Sequence, residues 1–167
     1  FLYPEREVRS LYFDNSSLQS FYDSAEGVVP RRKIRLRTYG NSERFSLETK
    51  ISSIEGRWKS SRPFTVDSNK SLGEHEIFDP AYGLCIPQVQ INYRREYFAL
   101  DGLRVTVDTN LRYAAWSSTV EASDAENVIE IKQHDSKLAD PLTFLDKFGL
   151  KVSRFSKYER AMEQLAL

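Results

Sequence analysis

The stretch RRKIRLRTY, residues 31–39, alternates strictly: Arg31, Lys33, Arg35 and Arg37 have one parity, Ile34 and Leu36 the other. Residues two apart in a β-strand share a face, so one face of this strand is almost wholly cationic. The pattern recurs along the chain. Glu48 and Lys50 oppose Leu47 and Thr49, and Arg57 and Lys59 share a face. Arg104, Thr106 and Asp108 alternate with Leu103, Val105 and Val107, and Glu130 and Lys132 with Ile129 and Ile131. Like charges in a row repel and contribute nothing to folding. Two arrangements accommodate them. The ionic faces lie in solvent, as in any half-buried antiparallel strand, or they converge inside a barrel, where about eight strands enclose room for a ligand. In the second case the cations need an anion, because a buried unpaired charge costs several kcal/mol. Phosphate chains fit: arginine offers a bidentate fork and lysine a point charge. The interspersed acids would then hold a divalent cation through oxygen ligands. Periodicity leaves both arrangements open.

Strand signals dominate the rest of the chain. VRSLYFD (8–14), RRKIRLRTY (31–39), RFSLETKI (44–51) and RWKSSRPFTV (57–66) are separated by turn residues such as Gly40-Asn41-Ser42 and Glu55-Gly56. QVQINYRREYFAL (88–100) and LRVTVDT (103–109) flank Asp101-Gly102, a two-residue hairpin signal. NVIEIKQ (127–133) is a further strand. Helices are short: one from Asn15 or Ser16 to Gly27, one opened by Asp140-Pro141 and closed by Gly149, and one capped by Ser156 with Glu159 three residues on. Residues 67–87 have no period and read as irregular cover. Alternation is ambiguous in QINYRREYF, where either Arg94 or Arg95 could face inward. The expectation is one domain over residues 1–167, mainly antiparallel β with short helices (α+β), its meander able to close into a barrel.

Composition narrows the function. Lysine plus arginine equals aspartate plus glutamate at 24 each, so any basic site is local and a general nucleic-acid binder is not expected. Cys85 is the single cysteine, which excludes a disulfide framework or a zinc-thiolate site within the chain. Cys85 reads as a small buried apolar residue; His75 and His134 read as surface residues. No apolar run is long enough to span a membrane, and the expected setting is cytoplasmic, or the cytosolic side of a membrane complex.

VRSLYFDN, RRKIRLRTYG, LETK, NYRREY, LRVTVDTNL, VIEIK and SRFSKYERAM occur in the order found in the VTC (vacuolar transporter chaperone) domain. The chain resembles that family from about Val8 to Met162. The family belongs to the triphosphate tunnel metalloenzymes, related to the CYTH phosphatases. The resemblance implies a tunnel-shaped antiparallel barrel that binds triphosphate and a divalent metal, Mn2+ or Mg2+. It further implies a polyphosphate polymerase that moves the γ-phosphoryl group of ATP onto inorganic polyphosphate. By motif, the phosphate ligands would be Arg35, Arg37, Lys50, Tyr93, Arg95, Arg104, Arg154, Ser156 and Lys157. Of these, Arg35, Arg37, Lys50, Arg95, Arg104 and Lys157 would carry catalysis, and Glu130 would be the metal ligand. The family pattern favours Arg95 over Arg94. Lys33 shares the inward parity without matching a family ligand and is expected at the tunnel mouth. The family has an N-terminal element with a further tunnel lysine that this chain does not contain, so the barrel is expected to lack it, and the domain to be part of a larger protein or complex.

A polymerase needs no strong base, since a terminal phosphate oxygen is already negative. A tripolyphosphatase or nucleoside triphosphate phosphohydrolase would need one, with Glu48 or Asp108 as candidates. A binding module that holds polyphosphate without turnover is the third reading.

Overall fold

The computed structural model describes residues 2–100, 102–133 and 141–167. Nine strands and three short α-helices run β1 (Tyr3–Asp14), α1 (Gln19–Glu26), β2 (Arg31–Tyr39), β3 (Phe45–Ser53), β4 (Gly56–Phe64), β5 (Ile77–Asp79), β6 (Gly83–Leu100), β7 (Leu103–Ala115), β8 (Glu121–Ser123), β9 (Val128–Gln133), α2 (Pro141–Lys147) and α3 (Lys157–Leu165). Every pairing is antiparallel. The sheet order is β4-β3-β2-β1-β6-β7-β8, with β5 on β6 and β9 on the near end of β7. β1 therefore lies at the centre of that order.

Alternation sends two different cores to the two faces. On the outer face Leu11, Phe13, Ile34, Leu36 and Leu47 pack under Ile77, Tyr82 and Cys85. On the inner face Val8, Tyr12, Val89, Ile91, Leu111 and Tyr113 receive Tyr158, Ala161, Met162 and Leu165 of α3. Those four helical positions recur at the spacing of a single apolar stripe. Ser156 caps α3 by accepting from the Glu159 amide. α1 starts later than its sequence suggests. Leu18, in a left-handed conformation, stands at its N-terminus; Asn15 Oδ1 accepts the amide of Gln19 at 3.0 Å, and Asp14 joins it as acceptor, taking the amides of Ser20 and Phe21 at 2.9 Å each. Ser24 donates to Glu159 at 2.9 Å and ties α1 to α3.

Four expectations need correction. The irregular stretch 67–87 contains a 3-10 turn (Leu72–Glu74), β5 and the start of β6. Pro87 hid that strand, and it sits where the β1–β6 register shifts, the position at which a sheet tolerates proline. β7 runs on to Ala115 past Asn110, whose φ of 54° is left-handed. Opposite Asn92 and Arg94 the register shifts from Arg112 to Thr109, so β7 carries one extra residue there. His75 is buried rather than superficial: its Nε2 accepts from the Asp67 amide and its Nδ1 meets the Ser71 carbonyl. His134 and Asp140 lie outside the described residues. Finally, the hydrogen-bonded ladder does not close: among the described residues β4 and β9 pair with no further strand on their outer sides. Lys50 of β3 nonetheless lies within electrostatic reach of Glu130 and Lys132 of β9.

Candidate functional site

The ionic residues singled out by alternation gather on the inner face, beside the end that α3 fills. Glu48 is the hub of one wall. Its Oε2 accepts from Arg35 Nε at 2.8 Å and Nη2 at 2.7 Å and lies 3.7 Å from Arg37 Nη1; its Oε1 meets Lys59 at 2.5 Å. Burial opposes ionisation of Glu48, yet Arg35 and Arg37 override it and hold the carboxyl at about 2. Arg37 is pinned further by Ser10 Oγ and Tyr93 Oη, each at 3.0 Å. Arg35 donates its remaining arm to Tyr12 Oη at 2.8 Å. Tyr12 stacks on Tyr158 with ring centroids 5.2 Å apart. Burial alone would raise its phenol, but Arg35 and Arg37 bring it down to about 8.

Asp108 is the hub of the facing wall. Arg95 grips it with Nε and Nη2 at 2.5 and 2.7 Å, and Lys157 adds a contact at 2.6 Å. Asp108 is wholly buried; burial resists its charge, and Arg95 and Lys157 hold it below the usual carboxylate range. Arg95 and Lys157 also lie over the Tyr93 ring, at 5.3 and 4.9 Å. Glu130 stands next to this cluster, 3.2 Å from Lys132 and 3.9 Å from Arg95. Arg94, by contrast, is outside, paired with Glu5 on the surface.

The structure thus brings together Arg35, Arg37, Lys50, Tyr93, Arg95, Arg104, Glu130, Ser156 and Lys157, with Arg104 placed on the face by its shared parity with Asp108. It does not bring Arg154 among them. That side chain is half exposed, lies against Gly27 and is 3.9 Å from Glu159. Sequence reasoning passed over Tyr12 and Ser10. Their signal was present, since both share the even parity of Val8, but YFDN reads as ordinary strand core.

The charges on this face do not balance. Glu48 and Asp108 are committed to cations, whereas Lys33, Lys50 and Arg104 make no ion pair among the described residues. Among the described residues Arg104 Nε and Thr106 Oγ1 are buried with no hydrogen-bond partner. Such groups cost about 1–3 kcal/mol each when left unsatisfied, and both are donors that an anion can accept from. A metal has less to work with. Among the described residues no three His, Cys, Asp or Glu side chains are placed to hold an ion. Glu130 is the one carboxylate of the face not gripped by a bidentate arginine. That donor set fits a cation that takes one protein carboxylate and completes its shell with phosphate oxygens and water, as Mg2+ commonly does.

Comparison with known proteins agrees with this geometry. The family model of the VTC domain matches residues 3–73 and 67–166. No curated protein matches by sequence. Among solved structures, a crystal structure of a candidate adenylate cyclase from Bacillus halodurans is similar, with a TM-score of 0.57 and 13% identity over 93% of this chain and 82% of that one.

Proposed function

The chain belongs to the VTC domain family and has the fold of the triphosphate tunnel proteins, and from that premise we propose that it is a metal-dependent polyphosphate polymerase. Its substrates are ATP and inorganic polyphosphate. The observation that carries the reading is the surplus of inward cations that make no ion pair among the described residues, Lys50 and Arg104 above all, on a face whose other arginines are already fixed in place.

Phosphoryl transfer asks a protein mainly for positioning and charge neutralisation. Arg35, Arg37 and Lys50 on one wall, and Tyr93, Arg95, Arg104 and Lys157 on the other, bind the triphosphate of ATP along the face. Ser156 contributes its hydroxyl beside them. Arg154 acts at the rim, where it can meet a chain outside the face. A terminal oxygen of the acceptor polyphosphate attacks the γ-phosphorus. A new P–O–P bond forms, the bond between the γ-phosphorus and the β–γ bridging oxygen breaks, and ADP leaves with that electron pair. Glu130 would hold Mg2+ or Mn2+, which supplies further neutralisation of phosphate oxygens. The remaining work is done by side chains preset by Glu48 and Asp108, which spares reorganisation in the transition state.

One feature favours transfer to phosphate over transfer to water. Water must lose a proton, and the inward acids that could take it are Glu48 and Asp108. Both are held well ionised by paired cations, Glu48 at about 2, which makes them poor bases near neutral pH. A phosphate oxygen that is already negative needs neither. An ATP donor places the reaction on a cytosolic side; among the described residues no helix is long and apolar enough to cross a membrane.

Incubation with ATP and Mn2+, followed by phosphorus NMR, tests the proposal. Internal-phosphate signal with release of ADP is the expected result. Orthophosphate alone would replace the polymerase with a hydrolase, and bound triphosphate without turnover would leave a binding module.

A further inference from the structure

The cationic series on β2 is longer than the set of ligands assigned above. Lys33, Arg35 and Arg37 are successive same-face positions and together span about 13 Å at 3.3 Å per residue. That is more than the run of one triphosphate. Arg35 and Arg37 share Glu48, but Lys33 has no carboxylate partner among the described residues. It is partly buried against the start of α3, where its Nζ donates to Ser156 Oγ at 2.7 Å.

Three facts make this a built position rather than a solvated lysine. Lys33 lies directly opposite Lys50, which lies directly opposite Lys59, so three ammonium-bearing residues form one transverse row. Like charges in that relation are destabilising, and of the three only Lys59 has an ion pair among the described residues, with Glu48. The nearby acid that could have relieved Lys33 is Glu159, and it is engaged by Ser24 and Arg154. Burial brings the Lys33 ammonium down to about 8, with Lys50 and Arg31 adding to the effect and Tyr12 and Glu159 opposing it. An ammonium has three donors; Ser156 uses one, and the others meet no carboxylate among the described residues.

We propose that Lys33, held by Ser156 and faced by Lys50, forms a subsite for a phosphate beyond the triphosphate, and that it selects linear polyphosphate over shorter anions. This rests on the reading of the inner face as a polyphosphate site. An anionic phosphate between Lys33 and Lys50 continues the line set by Arg35 and Arg37. It relieves the repulsion of the row and takes the unused donors. The ligand class is a linear phosphate anhydride longer than three units.

Calorimetric titration at fixed ionic strength tests this with tripolyphosphate and a long-chain polyphosphate against wild type, Lys33→Met and Lys33→Arg. Wild type is expected to bind the long chain more tightly. Lys33→Met should weaken long-chain binding about tenfold, the scale of one charge-assisted hydrogen bond, while tripolyphosphate affinity stays within about twofold. Lys33→Arg should recover most of the difference. The melting temperature of Lys33→Met without ligand should not fall, since it loses a charge without a carboxylate partner. Equal losses for both anions, or no loss for either, overturn the subsite while leaving the tunnel reading intact. A wild type that binds neither anion overturns both.

Discussion

The inner face of the sheet has two parts that share β6 and β7. In one, β1, β6 and β7 present Val8, Ile91 and Leu111, and α3 closes over them; in the other, Arg95 and Asp108 of β6 and β7 join Arg35, Arg37 and Glu48 of β2 and β3. The apolar half is satisfied by the chain's own helix. The ionic half is only partly satisfied by the chain's own acids. Facing inward is therefore a statement about geometry alone, and what covers a position decides its chemistry. A half that the protein completes itself contributes stability. A half left incomplete spends stability to create affinity.

Four measurements sharpen or break that contrast. The largest effect is expected from Glu48→Ala, which strips the shared counterion from Arg35, Arg37 and Lys59. Breaking a buried pair on one side costs on the order of 4 kcal/mol, and tripolyphosphate should restore much of the lost melting temperature by binding the folded state. Absence of rescue would mean that the anion does not sit on this wall. Next, Leu111→Ala in the apolar half should cost about 3 kcal/mol through a cavity beneath α3, with no additional gain from the anion beyond that of wild type. A selective rescue there would erase the distinction between the halves.

Lys50→Met should act oppositely on stability and binding. Burial lowers the Lys50 ammonium, so removal of the charge is expected to raise the melting temperature of the ligand-free protein by about 2–4 °C, roughly 1 kcal/mol for a chain of this size. Tripolyphosphate affinity should fall by more than about tenfold. A loss of stability together with unchanged binding would make Lys50 a structural residue.

The smallest effect is a pH dependence. Tyr12 and Lys33 both lie near 8 in the folded state, below their ordinary values of 10.0 and 10.5. Between pH 8 and 9 the unfolded chain therefore binds more protons than the folded one, and stability rises with pH. Above that window the Cys85 thiol, pushed by burial to about 11, pulls the other way. Calorimetric melting at pH 8 and 9 without ligand should show the rise. A flat or falling profile would separate Tyr12 and Lys33 from the cationic field assigned to them.

Much of this was legible in the sequence because it depended on parity and turn chemistry. The hairpins at Gly40-Asn41 and Glu55-Gly56 and the inward sets Arg35/Arg37, Glu48/Lys50 and Glu130/Lys132 follow from period-two alternation. Arg95 required the family pattern, since alternation in NYRRE has no phase of its own until α3 and Asp108 select it. Partnership was not legible. Glu48 pairs with Arg35 directly across on β2 and with Arg37 diagonal to it rather than with Lys50 in its own motif, and Asp108 reaches Lys157 across 49 positions of sequence. Residues 67–87 were obscured because β5 is only three residues long, Pro87 lies within β6, and their cover is fixed by a distant contact: a Cβ on Gly73 would collide with the Trp116 indole.

The left-handed turn at Asn110 works as a phase shifter. Before it the even residues 104, 106 and 108 look inward; after it the odd residues 111, 113 and 115 do. Loss or gain of a single residue there would turn one half of β7 inside out, setting Leu111 and Tyr113 toward the outer layer or Asp108 away from Arg95. The count between Asp108 and Leu111 is thus a spacing rule written into the chain. Substitutions around it are negotiable, but its length is not, and any relative that keeps both halves of the inner face must keep that count or compensate for it on β6.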